Sequence, residues 1–263
     1  MDFYKIHALG NDFIIFGNPF EKRPPNSKLI QYISDRHFGV GCDCVVYIGQ
    51  SDTADFFMHV YNPNGFEAEI CGNALRCSAK YIYEKGYFTK RDFLIETNSG
   101  TKKVSVSDDL ITAEIGKAEI QEVNCINVAG VNIPYVSVSF GNPHCVVFVN
   151  KMTDDEFELF GKAIEAHPVF SNGTNVEFAH IIDENNIEMR VWERGIGETL
   201  SCTTGSCACF AAAKHLGSEI KSCNVIQRGG ALNVFVDENE NYKVIGPCTV
   251  VFKGTLLNLG RNI

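Results

Sequence analysis

Little in this chain of 263 residues points to a membrane, a nucleic acid or a secreted fold. No apolar run approaches the ~18 residues that a membrane span requires. Lysine and arginine number 23 against 32 acids, and the net charge of −9 has the wrong sign for a surface that must neutralise phosphates. Met1-Asp2-Phe3-Tyr4-Lys5 does not open as a signal peptide, because an acid stands at position 2 and Asn11-Asp12 interrupts any apolar stretch. A cytoplasmic protein is the expectation, with no membrane and no nucleic-acid partner. Proline is scarce, at 8 residues, and no low-complexity tract marks a disordered linker. A Gly-rich phosphate loop is missing too. Cys42-Asp-Cys44 and Cys207-Ala-Cys209 lack the two-residue spacing of a zinc knuckle, and no paired histidines follow them. No cofactor and no metal are therefore expected.

Cysteine, by contrast, is plentiful: there are 11. Without a secretory signal, a chain of this size has neither the need nor the compartment for a disulfide framework. Most of these residues are expected to be small buried apolar groups, and only position can single out a reactive one. Hydrophobic residues at 45% and charged residues at 21% supply core enough for one large domain or two of about half the chain each.

Two stretches read as copies of one another. Met58-His-Val-Tyr runs on to Cys71-Gly-Asn73, and Met189-Arg-Val-Trp runs on to Cys202-Thr-Thr204. A shift of 131 residues places Met58 on Met189, Val60 on Val191, Glu67 on Glu198 and Cys71 on Cys202. The same shift places Tyr4, Gly10 and Asn11 on Tyr135, Gly141 and Asn142, Val45 on Val176 and Gly86 on Gly217. One constant offset near half the length implies an internal duplication, with one cysteine from each copy facing a shared cleft.

Each copy shows strands at alternating or continuous apolar runs and one long helix that starts beside its cysteine. Gly72–Lys85 and Thr203–Leu216 have helical patterning, and each meets a glycine that stops it, Gly86 and Gly217. Asn26–Phe38, with Ser27 as its cap, and Asp154–Ala166 are expected as further helices. Many strands around one long helix argue for an α+β fold over a parallel sheet with alternating helices. The expected domains are 1–120, carrying Cys71, and 121–263, carrying Cys202, with the final strands free to return to the first half.

A helix start presents unpaired N–H groups and a partial positive charge. Both lower a thiol's pKa and hold a carboxylate, so at a cysteine placed like Cys71 or Cys202 a thiolate becomes available near neutral pH. Gly72, Asn73, Thr203 and Thr204 follow the two cysteines and suit exposure of backbone N–H groups to a substrate. Two such ends could grip one α-carboxylate and set a thiolate and a thiol on opposite faces of Cα, an arrangement suited to racemisation.

These residues resemble the cofactor-independent diaminopimelate epimerases, relatives of proline racemase. The likeness covers nearly the whole chain. It runs through Ala8-Leu-Gly-Asn-Asp-Phe13, Gly39-Val-Gly-Cys-Asp43, Asn62-Pro-Asn-Gly65, Cys71-Gly-Asn73, Gly141-Asn-Pro-His-Cys-Val146, Asn175-Val-Glu-Phe178, Glu193-Arg-Gly-Ile-Gly-Glu-Thr199 and Cys202-Thr-Thr-Gly205. The resemblance implies two pseudo-symmetric domains, each a barrel-like, mostly antiparallel sheet wrapped around a central helix. It implies Cys71 and Cys202 as the two bases, with His144 and Glu193 assisting proton transfer. It also implies Asn11 at the reacting end of the substrate and Asn62, Asn142, Asn175 and Arg194 around the distal amino-acid group. Taken alone, His144 reads as a turn histidine, Glu193 as a strand-end charge and the asparagines as turn or cap residues.

Three positions depart from the family pattern. Cys44 stands where a glutamine is usual, near the reacting end; Thr203 replaces a small residue after the second cysteine; and Phe66 interrupts the usual Asp-Gly-Ser-Glu run. Stereoinversion of LL-diaminopimelate to the meso form, feeding lysine and peptidoglycan synthesis, is the expected function. A racemase or epimerase of another amino acid or a diaminopimelate analogue is the alternative that Cys44 and Thr203 leave open. The expected partner is a small-molecule amino-acid substrate, and a homodimer is compatible with this reading.

Overall fold

The computed structural model describes residues 1–22, 24–68 and 71–257. Two compact units divide the chain, Met1–Glu114 with Gly246–Ile263, and Ile115–Ile245.

In the first unit the strands are β1 (Asp2–Ala8), β2 (Asn11–Gly17), β3 (Cys44–Gly49), β4 (Phe56–Tyr61), β5 (Asp92–Thr97), β6 (Gly100–Ser107) and β7 (Leu110–Gly116), with helices α1 (Ser27–Ser34) and α2 (Gly72–Glu84). β1 pairs antiparallel with β2, β3 with β4, β5 with β6 and β6 with β7, while β2–β3 and β4–β5 are parallel. β2 and β3 are buried on both faces and read as continuous apolar runs. One face of β2, through Ile14 and Phe16, joins Ile30 and Ile33 of α1 and Val45 and Tyr47 of β3 in a core cluster. The opposite face meets α2, which packs against β1, β2, β3, β4 and β6 and is buried from Gly72 through Ile82. A helix enclosed on so many sides needs no polar face.

The second unit repeats this plan with β8 (Glu119–Ile120), β9 (Asn124–Val128), β10 (Val131–Ser139), β11 (Pro143–Phe148), α3 (Asp154–Glu165), β12 (Asn175–Asp183), β13 (Asn186–Glu193), β14 (Gly197–Thr199), α4 (Thr203–His215), β15 (Ser222–Gln227), β16 (Gly230–Val236) and β17 (Tyr242–Pro247). β11–β12 and β13–β15 are parallel, and the neighbouring pairs are antiparallel. α3 starts in a full capping box between Thr153 and Glu156, and covers a cluster containing Tyr135, Val147, Phe157 and Phe178. α4 is the enclosed helix here, small-residued and buried from Thr203 through Ala213.

The 131-residue shift survives folding. α2 and α4 are both 13 residues long and start 131 apart, and β2, β3 and β4 fall on β11, β12 and β13. Each helix stops at a left-handed glycine, Gly86 (φ 69°) and Gly217 (φ 97°), a conformation that a Cβ would strain. Helix boundaries differ from expectation at one place that matters. α1 ends at Ser34 because Asp35 turns to extended geometry and its carboxylate takes the N–H groups of His37 and Phe38. Its cap is Asn26, whose side chain accepts from Leu29 N, in place of Ser27. Finally, β18 (Thr249–Thr255) pairs antiparallel with β1, and Met1 and Leu256 exchange backbone hydrogen bonds of 3.0 and 2.8 Å. The run of residues leading into Cys71 includes Glu69 and Ile70, which lie outside the described residues.

Candidate active site

Both cysteines cap their helices with sulfur. Cys71 precedes α2 in extended geometry and its Sγ accepts from Ala74 N at 3.4 Å; Cys202 precedes α4 in nearly the same geometry and accepts from Gly205 N at 3.3 Å. An oxygen side chain usually does this work. Placing sulfur there fixes each thiol at the positive end of a buried helix.

Around Cys71, which is half-buried, the first unit assembles three of its predicted partners. Asn11 Oδ1 lies 3.9 Å from the sulfur and accepts from Asn73 Nδ2 at 3.1 Å. Asn11 Nδ2 donates to Asp43 at 2.9 Å, so the amide is held with its oxygen toward the thiol. The fully buried Arg76 reaches back along α2 to Asn73 Oδ1 at 2.6 Å and to Gly72 O at 3.4 Å. Gly72 and Asn73 are thereby locked in the first turn. Cys44 lies elsewhere in the set: its Sγ is 3.9 Å from Asn62 Oδ1. Asn62 itself is fixed by a turn in which its N–H meets Phe66 O and its carbonyl accepts from Gly65 N, both at 2.9 Å.

The second unit mirrors part of this. Asn142 Nδ2 donates to Thr204 Oγ1 at 3.2 Å, and that hydroxyl lies 3.5 Å from Cys202 Sγ. Asn175 bonds Pro143 O through Nδ2 and accepts from the backbone N of Arg194, at 2.9 and 3.0 Å, which ties β11, β12 and the end of β13 together. Glu193 accepts from Thr199 Oγ1 at 2.6 Å. Thr203 is buried in the first turn of α4. His144 is fully buried, with Nδ1 2.7 Å from Glu177 Oε1.

Cys202 contradicts the expectation of a lowered thiol pKa. Its burial pushes it well above the usual thiol range, and the charges of Glu193 and Glu177 push the same way; hydrogen bonds from Thr204 and Gly205 N oppose them and lose. A helix end contributes up to about 2 kcal/mol in favourable, partly buried geometry, less than the cost of desolvating an anion beside two carboxylates. Cys202 therefore rests as a thiol. Burial likewise raises Cys42, Cys145, Cys209 and Cys223, which pack as small apolar residues.

Two residues at this site were not expected from the sequence. Glu177 is one. Gln227, on β15, is the other: its Oε1 accepts the Cys202 N–H at 2.7 Å and its Nε2 donates to Ser206 Oγ at 3.0 Å, while Ser206 donates to Cys202 O at 2.8 Å. This ring of bonds clamps the cysteine's backbone from both sides.

The sequence profile of the family described as diaminopimelate epimerase matches residues 3–121 and 136–251. Relatives named diaminopimelate epimerase include one from Acetivibrio thermocellus, 38% identical with 97% of this chain and 98% of that protein covered. Another, from Methanococcus maripaludis strain C6, is 36% identical, with 97% and 99% covered. Among solved structures, a hydroxyproline epimerase from Agrobacterium vitis with bound trans-4-hydroxy-L-proline is similar at TM-score 0.75 and 14% identity, over 97% of this chain and 91% of that one. A Bacillus anthracis protein of the PhzF phenazine-biosynthesis family is similar at 0.74 and 18%, over 98% and 99%. At such identities the structures show a shared two-domain fold and nothing finer. The relatives that align end to end, and the profile that spans both copies, show that the chain belongs to the diaminopimelate epimerase family.

Proposed function

We propose that this chain epimerises LL-2,6-diaminopimelate to the meso form by a two-base reaction at Cys71 and Cys202, without pyridoxal phosphate or metal, in the cytoplasmic route to lysine and peptidoglycan. The observation that carries the reading is the pair of sulfur-capped helices at one period, inside a chain of this family. One sulfur, as thiolate, takes the α-proton; the carbanion's charge spreads onto the α-carboxylate; the other sulfur, as thiol, returns a proton to the opposite face. The N–H groups of Gly72, Asn73, Thr203 and Thr204 suit the task of holding that carboxylate as charge grows on it. Burial beside Glu193 and Glu177 favours the thiol form of Cys202, which suits it to donate first. His144 and Glu193 are assigned to assist proton transfer involving the two thiols. Arg194, with Asn62, Asn142 and Asn175, is assigned to the distal amino-acid head, where a guanidinium grips a carboxylate with two parallel bonds.

The test is solvent-deuterium incorporation at Cα, measured with LL- and meso-diaminopimelate and with a panel of monocarboxylic amino acids. Exchange and inversion of diaminopimelate, surviving dialysis against chelator and a carbonyl trap for pyridoxal, is the expected result. One observation favours the alternative of another amino acid or a diaminopimelate analogue: Cys44 sets a thiol 3.9 Å from Asn62, where the family pattern has an amide. More efficient turnover of a monocarboxylic amino acid would move the chain to that reading, and binding without exchange would make it a non-catalytic relative.

A further inference from the structure

The two cysteines sit in matched backbones and unmatched surroundings. Behind Cys202 lies an ionisable pair with no solvent contact: His144 and Glu177 are both 0% exposed and 2.7 Å apart. Nε2 of this ring and Oε2 of this carboxyl make no hydrogen bond among the described residues. Such a pair contributes little to folding, and apolar residues of similar size generally serve stability as well or better.

The duplication makes that comparison inside one molecule. The 131-residue shift places His144 on Phe13 and Glu177 on Val46, both fully buried on the equivalent parallel strands β2 and β3. A third exchange goes with these two: Gly205 falls on Ala74, each the third residue of its helix. A Cβ built on Gly205 would lie 2.7 Å from Glu177 Oε1 and 3.3 Å from Cys202 Sγ. The carboxylate thus occupies the room that a methyl group fills in the other copy, and it does so beside the sulfur. Since the fold closes around Phe13, Val46 and Ala74 in one unit, it does not need histidine, glutamate and glycine in the other.

We infer that Glu177 is a positioning residue for proton transfer in the second unit: it accepts the hydrogen bond from His144 Nδ1–H and so leaves Nε2 as the one ring nitrogen able to exchange a proton. This rests on the epimerase reading above and makes the two halves of the reaction chemically unequal.

Three measurements test it. Nitrogen-15 NMR of wild-type protein labelled on histidine should show a proton on Nδ1 of His144; a bare Nδ1 overturns the inference. Glu177→Gln keeps size and hydrogen-bonding capacity but removes the charge. It should lower kcat for LL-diaminopimelate at least 100-fold with KM changed less than threefold, and Glu177→Asp should recover tenfold or more of that loss. Unchanged kcat in Glu177→Gln would mean that hydrogen bonding and packing suffice, and would overturn the inference. The triple variant His144→Phe, Glu177→Val, Gly205→Ala, which installs the other copy's residues, should fold with an undiminished melting temperature and have no turnover. Unfolding of that variant would assign the pair to the fold instead. The NMR and melting readouts use no substrate, so a wild-type protein inactive on diaminopimelate would remove the proposed function while these two still judge Glu177.

Discussion

The clamp on Cys202 gives the sharpest quantitative prediction. Gln227→Leu removes the acceptor of the Cys202 N–H at 2.7 Å and the donor to Ser206 at 3.0 Å, within a site where Gln227 is only 7% exposed. Orphaning a buried N–H costs about 1–3 kcal/mol, and the second lost bond adds about 1 kcal/mol. For a unit of this size a kcal/mol corresponds to a few degrees, so the transition that unfolds the second unit should fall by roughly 5–15 °C. Catalysis should suffer more than stability. The sulfur's place depends on the backbone that Gln227 holds, and a displacement near 1 Å at a reacting group costs on the order of 100-fold. Gln227→Glu keeps the acceptor but buries a carboxylate at this 7% exposed position, and should be no milder. Thermal denaturation and Cα deuterium exchange on the three proteins decide the matter. A Gln227→Leu protein with its melting temperature within about 2 °C of wild type and full turnover would refute the clamp.

Other outcomes follow from the same geometry. Cys71→Ala and Cys202→Ala should each abolish inversion of diaminopimelate, while Cys125→Ala, at an exposed position, should retain it; normal turnover in either of the first two would remove both from the reaction. Because burial and two carboxylates raise the Cys202 thiol, iodoacetamide should label it slowly in resting protein until the pH is well above 9, with the exposed Cys125 labelled first; mass spectrometry of timed digests reads the order. Asp12 is held at about 2 although burial alone would raise it, because Arg36 and Lys5 bond its carboxylate. Its stabilising effect is therefore present above the ordinary value near 4 and lost as pH falls toward 2, at about 1–2 kcal/mol after solvent screening; urea denaturation at pH 5 and pH 3, with Asp12→Asn as control, should show it. Arg194→Met should cut diaminopimelate turnover by several kcal/mol while sparing slow exchange of small amino acids, and equal losses on both would deny it the distal role.

The period of the duplication was readable from residues alone because turn glycines and helix starts tolerate few substitutes. Gly86 and Gly217 mark the helix ends through a left-handed backbone, and Cys71 and Cys202 mark their starts. Glu177 was not readable. Within Asn175-Val-Glu-Phe178 it looks like a polar position on a half-exposed strand, yet β12 is flanked by β11 and β13 and covered on both faces there. Its partner lies 33 residues away, so spacing gives no hint. The departures under the shift, Val46 to Glu177 and Ala74 to Gly205, were the available signal. The charge state of Cys202 also escaped, since a helix end is visible in a sequence and full burial beside two carboxylates is not.

The pairing of β1 with β18 bears on the order in which the protein can take shape as it is made. Residues 2–8 emerge early from the ribosome, but their antiparallel neighbour is residues 249–255. At about 5–20 residues per second, that neighbour arrives roughly 10–50 s later. Meanwhile Phe3, Tyr4 and Ile6, buried in the finished unit, belong to a strand with one side unpaired, the condition under which chains associate wrongly. The second unit is continuous from Ile115 to Ile245 and waits for nothing downstream. It should close first, so nascent chains arrested after residue 245 should protect that segment from protease while leaving the earlier one open to cleavage and to chaperones.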